Sequence, residues 1–279
     1  MQESKQPEKG EVGKPGWLQV LTIVFFLFYM LIPIIATYIF SVATRWDKTI
    51  LPEGYTLEGY TEVAKNPYFL ITLKNSLVLS VLSVVLNLVL IVPTVYWVHV
   101  HLHAAKPLLD LLMILPFGIP GVVLALSLVQ VYNFQPIHRS PFLLAAATVI
   151  FTMPYMYRSV SNNIEAIDIP TLTEAAQSLG ANMVNVLTRV IIPNIFPGIL
   201  SGSLLVFATV FAEFTLARLI VGASFKTFPM LLVEYTRKDG TIAAGLSVIS
   251  FTIAWIVSLL ILWVSGKGIK STSDVIKAR

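Results

Sequence analysis

Only 12% of the 279 residues are charged, so ionisable side chains within apolar surroundings stand out as places where chemistry could occur. Glu213 and Arg218 interrupt one apolar run. A carboxylate there can face a cationic ligand, or it can be a structural partner for Arg218 or a neighbouring helix; Arg218 itself can snorkel outward. Asp110 sits near the start of another apolar run and reads as interfacial. His99, His101 and His103 alternate before Lys106. On an extended segment that spacing offers a metal three imidazoles, but the favoured reading is three solvated rings at a surface. Glu174 belongs to a polar island, residues 164–193. Enzyme signatures are missing: there is no cysteine, and no phosphate-cradling Gly-x-x-x-x-Gly-Lys-Ser/Thr occurs. Gly266-Lys267-Gly268 lacks the spacing, and no Ser/His/Asp or paired-carboxylate set is credible in so polar-poor a chain. The chain therefore reads as a non-enzyme with no metal site.

The elements that position these residues are apolar. With 56% hydrophobic residues and a mean hydropathy of +0.79, the composition is that of an integral membrane protein, because a soluble surface needs more charge. A net charge of +4 spread along the chain gives no footing for a nucleic-acid partner. Residues 1–16 are polar, rich in Pro and Gly, and read as a disordered tail. Apolar stretches follow at about 17–41, 75–98, 107–132, 141–160, 195–221 and 241–264, each near the ~20 residues a helix needs to cross a bilayer. The first is about twice a signal-peptide core and reads as retained. The expected fold is thus all-α, with six transmembrane helices in one domain, 17–266, and a tail at 267–279. An even number of spans puts both termini on one side. Positive-inside counting gives ten Lys/Arg on that side against eight in the opposite loops, which decides little.

Several residues break the regularity of these spans. Pro33, Pro93, Pro116, Pro120 and Pro154 each remove a backbone donor. Pro116-Phe117-Gly118-Ile119-Pro120-Gly121 is the densest cluster and should kink or unwind the third span, either to line a transport path or as ordinary kinked packing. Gly198 and Gly202 form a Gly-x-x-x-Gly pair that lets a neighbouring backbone approach, with or without transmitting motion. Glu213 lies about 27 Å along the fifth span at 1.5 Å per residue, towards its outer end.

The polar island carries helix punctuation. Thr171 and Glu174 have capping-box spacing after Pro170. Gly180 can close that helix in the left-handed conformation, and Asn182 can cap a second one with Met183, Val186, Leu187, Val190 and Ile191 on one face. Pro193 is expected to end it. Glu174-Ala175-Ala176, Gly180 and Val190-Ile191-Ile192-Pro193 resemble the EAA loop of permease subunits in type I ABC importers, whose pattern ends Ile-x-Leu-Pro. Thr56-Leu57-x-x-Tyr60 and Asn75-Ser76-Leu77 resemble the same permeases, as does the stretch 211–222, which is most similar to the spermidine/putrescine class.

The resemblance implies a cytoplasmic coupling helix at 164–193, between the fourth and fifth spans, seated in a groove of a cytoplasmic ABC ATPase dimer. Glu174 and Gly180 would shape that contact, Ala175, Ala176 and Leu179 would fill the groove, and Pro193 would close the motif. It further implies a second permease subunit, identical or homologous, a lipid bilayer that is the bacterial plasma membrane, cytoplasmic termini, and an extracytoplasmic substrate-binding protein meeting the outward loop 42–74. ATP and Mg would be used by the ATPase, with no cofactor in this subunit. The pathway residues would be Glu213, Pro116, Gly118, Pro120 and Gly121, and Gly198 and Gly202 would pack helices. A polyamine is the favoured cargo, with 2-aminoethylphosphonate, ferric iron or thiamine as alternatives. An ATP-independent secondary transporter or a non-transporting scaffold are the readings from other classes.

Overall fold

The computed structural model describes residues 16–46 and 48–277, so nearly all of the polar segment 1–16 lies outside the described residues. Among the described residues the protein is helical, with one isolated antiparallel bridge between Ala43 and Tyr55. The long helices are α1 (Trp17–Ser41), α3 (Phe69–His101), α6 (Pro141–Glu165), α9 (Ile192–Phe211) and α12 (Gly240–Lys277). Shorter ones are α2 (Glu58–Lys65), α4 (Lys106–Ile114), α5 (Gly121–Val131), α7 (Ile169–Ser178), α8 (Met183–Val186), α10 (Thr215–Ile220) and α11 (Phe228–Thr236).

The core is the three-way packing of α3, α6 and α9. On α3 the buried residues Thr72, Ser76, Leu79, Ser83, Asn87, Ile91 and Val95 recur at three- and four-residue spacing, so one stripe faces protein while the rest is apolar and exposed. That stripe contains small polar residues because lipid is as apolar as leucine and gives no preference for burying aliphatic surface. Ser83 Oγ lies 2.9 Å from Thr148 Oγ1, and Asn87 Nδ2 donates to Thr152 Oγ1 at 3.1 Å, tying α3 to α6. Such interhelical bonds contribute about 0.6 kcal/mol each. On α9, a Cβ added to Gly198 would stand 2.5 Å from the Ser159 carbonyl oxygen, and one on Gly202 would stand 2.7 Å from Met156 Sδ and 3.2 Å from its Cα. Only glycine allows α9 to lie this close to α6.

α1 packs on α12, and residues 17–35 are all exposed, as expected of an apolar helix whose other neighbour is lipid. α12 continues as backbone helix to Lys277, beyond the boundary at 266 assigned to a separate tail. The 42–74 loop, expected to face outward, also holds more structure than a connector. α2 lies within it against α12, and α3 starts at Phe69, earlier than residue 75. Asn75 and Ser76 therefore sit inside α3. Their side chains fasten it to the start of α11: Asn75 Nδ2 donates to Lys226 O at 2.9 Å, and Ser76 Oγ accepts from the Phe228 N–H at 2.8 Å.

Two expected spans are rearranged. Among the described residues five helices are long and apolar enough to cross a membrane, and a sixth crossing exists only if residues 103–118 and 121–131 count as one broken span. The break lies in the Pro116–Gly121 cluster and bends the chain by 99°. A 3-10 turn, Leu115–Gly118, precedes it, and Pro116 and Pro120, one on each side of the break, each lack the backbone donor a regular helix needs. Pro193 does not end its helix. Residues 187–191 form a wide π turn that makes room for the proline ring, and the apolar helix runs without interruption from Met183 to Phe211. The expected span 195–221 is instead cut at Ala212–Phe214, after which α10 begins.

Candidate functional site

The polar island folds into a compact hinge between two long helices. α6 ends at Glu165, and α7 starts four residues later. The cap of α7 is not the expected Thr171–Glu174 box. Asp168 occupies that place: its Oδ1 accepts from the Thr171 N–H at 3.2 Å, and Thr171 Oγ1 donates to Oδ2 at 2.7 Å. These bonds hold the Asp168 carboxyl below its ordinary range. A charged acceptor at a helix start outcompetes a hydroxyl, and Pro170, in the first turn, has no N–H to satisfy.

The far end of α7 matches its sequence. Gly180 has φ +83°, and the Gly180 and Ala181 N–H groups donate to the Gln177 and Ala176 carbonyls at 2.8 and 3.0 Å, the paired bonds of a Schellman turn. Asn182 then caps α8 through its Oδ1, which accepts from the Asn185 N–H at 2.9 Å. Along α8 and the π turn, Val186 and Ile191 are fully buried and Leu187 and Val190 partly so, while Met183 stays exposed.

This arrangement divides the island into an anchored face and a free one. Ile169 is 3% exposed and Ala176 packs against the core, holding α7 down. Glu174, Ala175 and Gly180 are exposed, and Leu179 is 89% exposed at the tip. A leucine presented this openly beside small alanines offers a narrow apolar knob with a carboxylate one turn away.

Glu213 lies in the break after α9. Its Oε1 accepts from the Leu216 N–H at 2.9 Å and its Oε2 from the Ala217 N–H at 3.1 Å, so the carboxylate caps α10 rather than pairing with Arg218. The three histidines lie in helical turns; His101 and His103 are exposed, in line with solvated rings, but His99 is not. His99 turns inward, with Nε2 3.1 Å from Ser161 Oγ and 3.4 Å from Glu165 Oε1. His101 packs against Trp97 at 4.3 Å between ring centroids, the rings tilted by 55°. No metal-binding cluster of three His, Cys, Asp or Glu occurs among the described residues. Asp110, read as interfacial, accepts a hydrogen bond from Tyr157.

One open pocket of about 460 Å³ lies between α10 and α11, lined by Phe214, Arg218, Lys226, Glu234, Arg237 and Lys238 among others. Glu234 is clasped by Lys226 and by Lys238, the latter at 2.6 Å, and these two ammonium groups hold its carboxyl down to about 2. The sequence reading missed this pocket, as it missed Asp168 and Glu165. Asp168 was legible, since an acidic residue two positions before Pro170 is a helix-start signal; the pocket joins residues whose proximity depends on the turn between α10 and α11.

Residues 74–266, from α3 into α12, match the family described as "Binding-protein-dependent transport system inner membrane component". The chain is 30% identical over 268 residues to the spermidine/putrescine transport system permease protein PotB of Escherichia coli strain K12, covering 89% of this chain and 93% of that protein. It is 25% identical to PotC, a permease of the same transport system in that strain, over 75% of this chain and 78% of PotC. Among solved structures, a bacterial ABC transporter involved in import of the acidic polysaccharide alginate shares the fold, with a TM-score of 0.69 at 16% identity, covering 90% of this chain and 94% of that one. The MetNI methionine ABC transporter in an inward-facing conformation matches at a TM-score of 0.55 and 14% identity, over 75% of this chain and 99% of that one. The chain belongs to the family of binding-protein-dependent transport system inner membrane components and is a permease subunit of an ABC importer.

Proposed function

We propose that this subunit crosses the plasma membrane six times, with the bent α4–α5 pair as one broken crossing, and that the hinge 164–193 lies in the cytoplasm with both termini. α7 is then the coupling helix. Its exposed face, Glu174, Ala175, Leu179 and Gly180, with Ala176 behind it, seats in a groove of a cytoplasmic ATPase dimer that binds ATP and Mg. Pro193 and the π turn join that helix to α9. The single observation that carries this reading is the exposure of Leu179 on a helix otherwise anchored between two long apolar helices. A second permease subunit completes the path, and an extracytoplasmic binding protein delivers cargo to the face formed by the 42–74 loop.

The path is proposed to run beside the bend at Pro116, Gly118, Pro120 and Gly121, with Glu213 at its outer end. Each Glu213 oxygen accepts one backbone N–H and keeps a further acceptor site for an ammonium group. The proposed cargo is a polyamine, supported by similarity to the spermidine/putrescine permeases. One observation favours a second reading. The pocket beside Phe214 carries Arg218, Lys226, Arg237 and Lys238 against Glu234 alone, which suits an anionic group such as a phosphonate.

The test is to purify the protein with its ATPase and binding protein and to measure ATP hydrolysis with spermidine, putrescine, 2-aminoethylphosphonate and ferric iron. Stimulation by a polyamine supports the first reading and stimulation by the phosphonate the second. Failure to assemble with any ATPase overturns both.

A further inference from the structure

Where α6 ends, one carboxylate oxygen gathers three elements. Glu165 Oε1 lies 3.0 Å from Lys106 Nζ at the start of α4, 3.1 Å from Ser161 Oγ one turn back on α6, and 3.4 Å from His99 Nε2 in the last turn of α3. The His99 side chain is only 7% exposed. Its other nitrogen, Nδ1, is 2.8 Å from the Val95 carbonyl oxygen, an acceptor that requires Nδ1 to carry a proton. Nε2 is therefore the ring atom that faces Glu165 and Ser161. With Nε2 protonated, the ring donates towards Glu165 and Ser161 gives its hydrogen to the same carboxylate. With Nε2 bare, the lone pair faces a carboxylate, and Ser161 can satisfy the ring only by withdrawing its hydrogen from Glu165. The other ionisable groups nearby are Asp110 of α4, engaged by Tyr157 of α6, and His101, which is turned towards Trp97.

Two residues separate Glu165 from Asp168, the cap of α7, and the Ile167 N–H donates back to the Ile164 carbonyl at 3.3 Å. A chain this short transmits the position of Glu165 directly to α7. We infer that His99, Lys106 and Ser161 are positioning residues that clamp Glu165 and so fix where α7 presents its exposed face. The inference rests on the coupling role proposed for α7. None of the three residues touches cargo or the ATPase; each acts through Glu165.

The clamp is tested by hydrogen exchange of the 166–180 backbone in the assembled transporter in lipid nanodiscs, and by spermidine taken up per ATP hydrolysed in proteoliposomes. His99→Gln and Glu165→Gln are expected to raise exchange in 166–180 several-fold and to lower the uptake ratio, while Lys106→Arg, which keeps a cation in place, stays near wild type. Unchanged exchange in His99→Gln and Glu165→Gln overturns the clamp. Should those variants fail to assemble, unchanged exchange in Ser161→Ala, which removes the 3.1 Å hydrogen bond to Glu165, overturns it equally. Altered exchange together with normal coupling in Gly180→Val would instead overturn the coupling role of α7 and leave the positioning intact.

Discussion

Gly180 allows conformation and contact to be separated at one position. Its φ of +83° is a region that L side chains rarely adopt, yet a Cβ built there meets nothing within 4 Å. Substitution therefore introduces no clash within the subunit, and the cost is backbone strain alone, roughly 1–2 kcal/mol for a residue with an ordinary side chain. That corresponds to about a 5–30-fold shift away from the native turn. Asparagine adopts the left-handed conformation more readily, so Gly180→Asn should lose least, Gly180→Ala more and Gly180→Val most. Aspartate is nearly isosteric with asparagine, so the difference between Gly180→Asp and Gly180→Asn measures the effect of a negative charge at the contact. All four variants should insert and purify normally, because the turn is exposed and no core contact is lost. The assay is uptake in proteoliposomes alongside ATP hydrolysis by the same preparation, and the expected outcome is loss of uptake with hydrolysis retained. Gly180→Val coupled as well as wild type would refute the reasoning. So would Gly180→Asn as impaired as Gly180→Val.

Three further outcomes are expected. Gly198→Leu should cost stability, on the order of 1–3 kcal/mol or more for overpacking, because its Cβ would fall 2.5 Å from the Ser159 carbonyl, a backbone atom that cannot move aside; thermal unfolding in detergent checks this. Leu179→Ser should leave unfolding unchanged, since the side chain is 89% exposed, but should weaken ATPase association by roughly 10–100-fold if about 1.5–3 kcal/mol of leucine burial is lost there, as titration of ATPase onto the permease would read. The Glu234 carboxyl, held down to about 2 by Lys226 and Lys238, stabilises the α10–α11 region above its ordinary pKa of 4.5 and loses that contribution as pH falls towards 2. The wild-type melting temperature should therefore drop more steeply than that of Glu234→Gln between pH 4.5 and 2.5, and parallel curves would count against the clasp.

The local chemistry of the hinge was largely legible. Gly180 closes α7 and Asn182 caps α8 because those preferences arise from one residue and its immediate backbone. Asp168 was also within reach, but the Thr171–Glu174 pattern competed for the same helix start and lost to a carboxylate one turn earlier. Pro193 misled because the rule that proline ends a helix assumes a regular turn before it. A π turn relaxes that assumption, and no local pattern in residues 187–191 announces one.

Composition, apolar run lengths and the EAA spacing determined on their own that this is a helical membrane permease with its polar hinge between two long helices, since hydropathy and helix punctuation are properties of short stretches of chain. The tertiary structure decided the rest. The 99° bend follows from where α5 finds α6 and α10 to pack against, not from the prolines alone. Glu213 could face a path or partner Arg218 or a neighbouring helix on the sequence alone, and only the break after Phe211 sets its carboxylate on the amides of α10. His99, one of three apparently equivalent histidines, became distinct only when the ends of α3 and α6 and the start of α4 met at Glu165. Such partners are up to 66 residues apart in the chain, so the pairing depends on how the helices pack and not on any spacing within them.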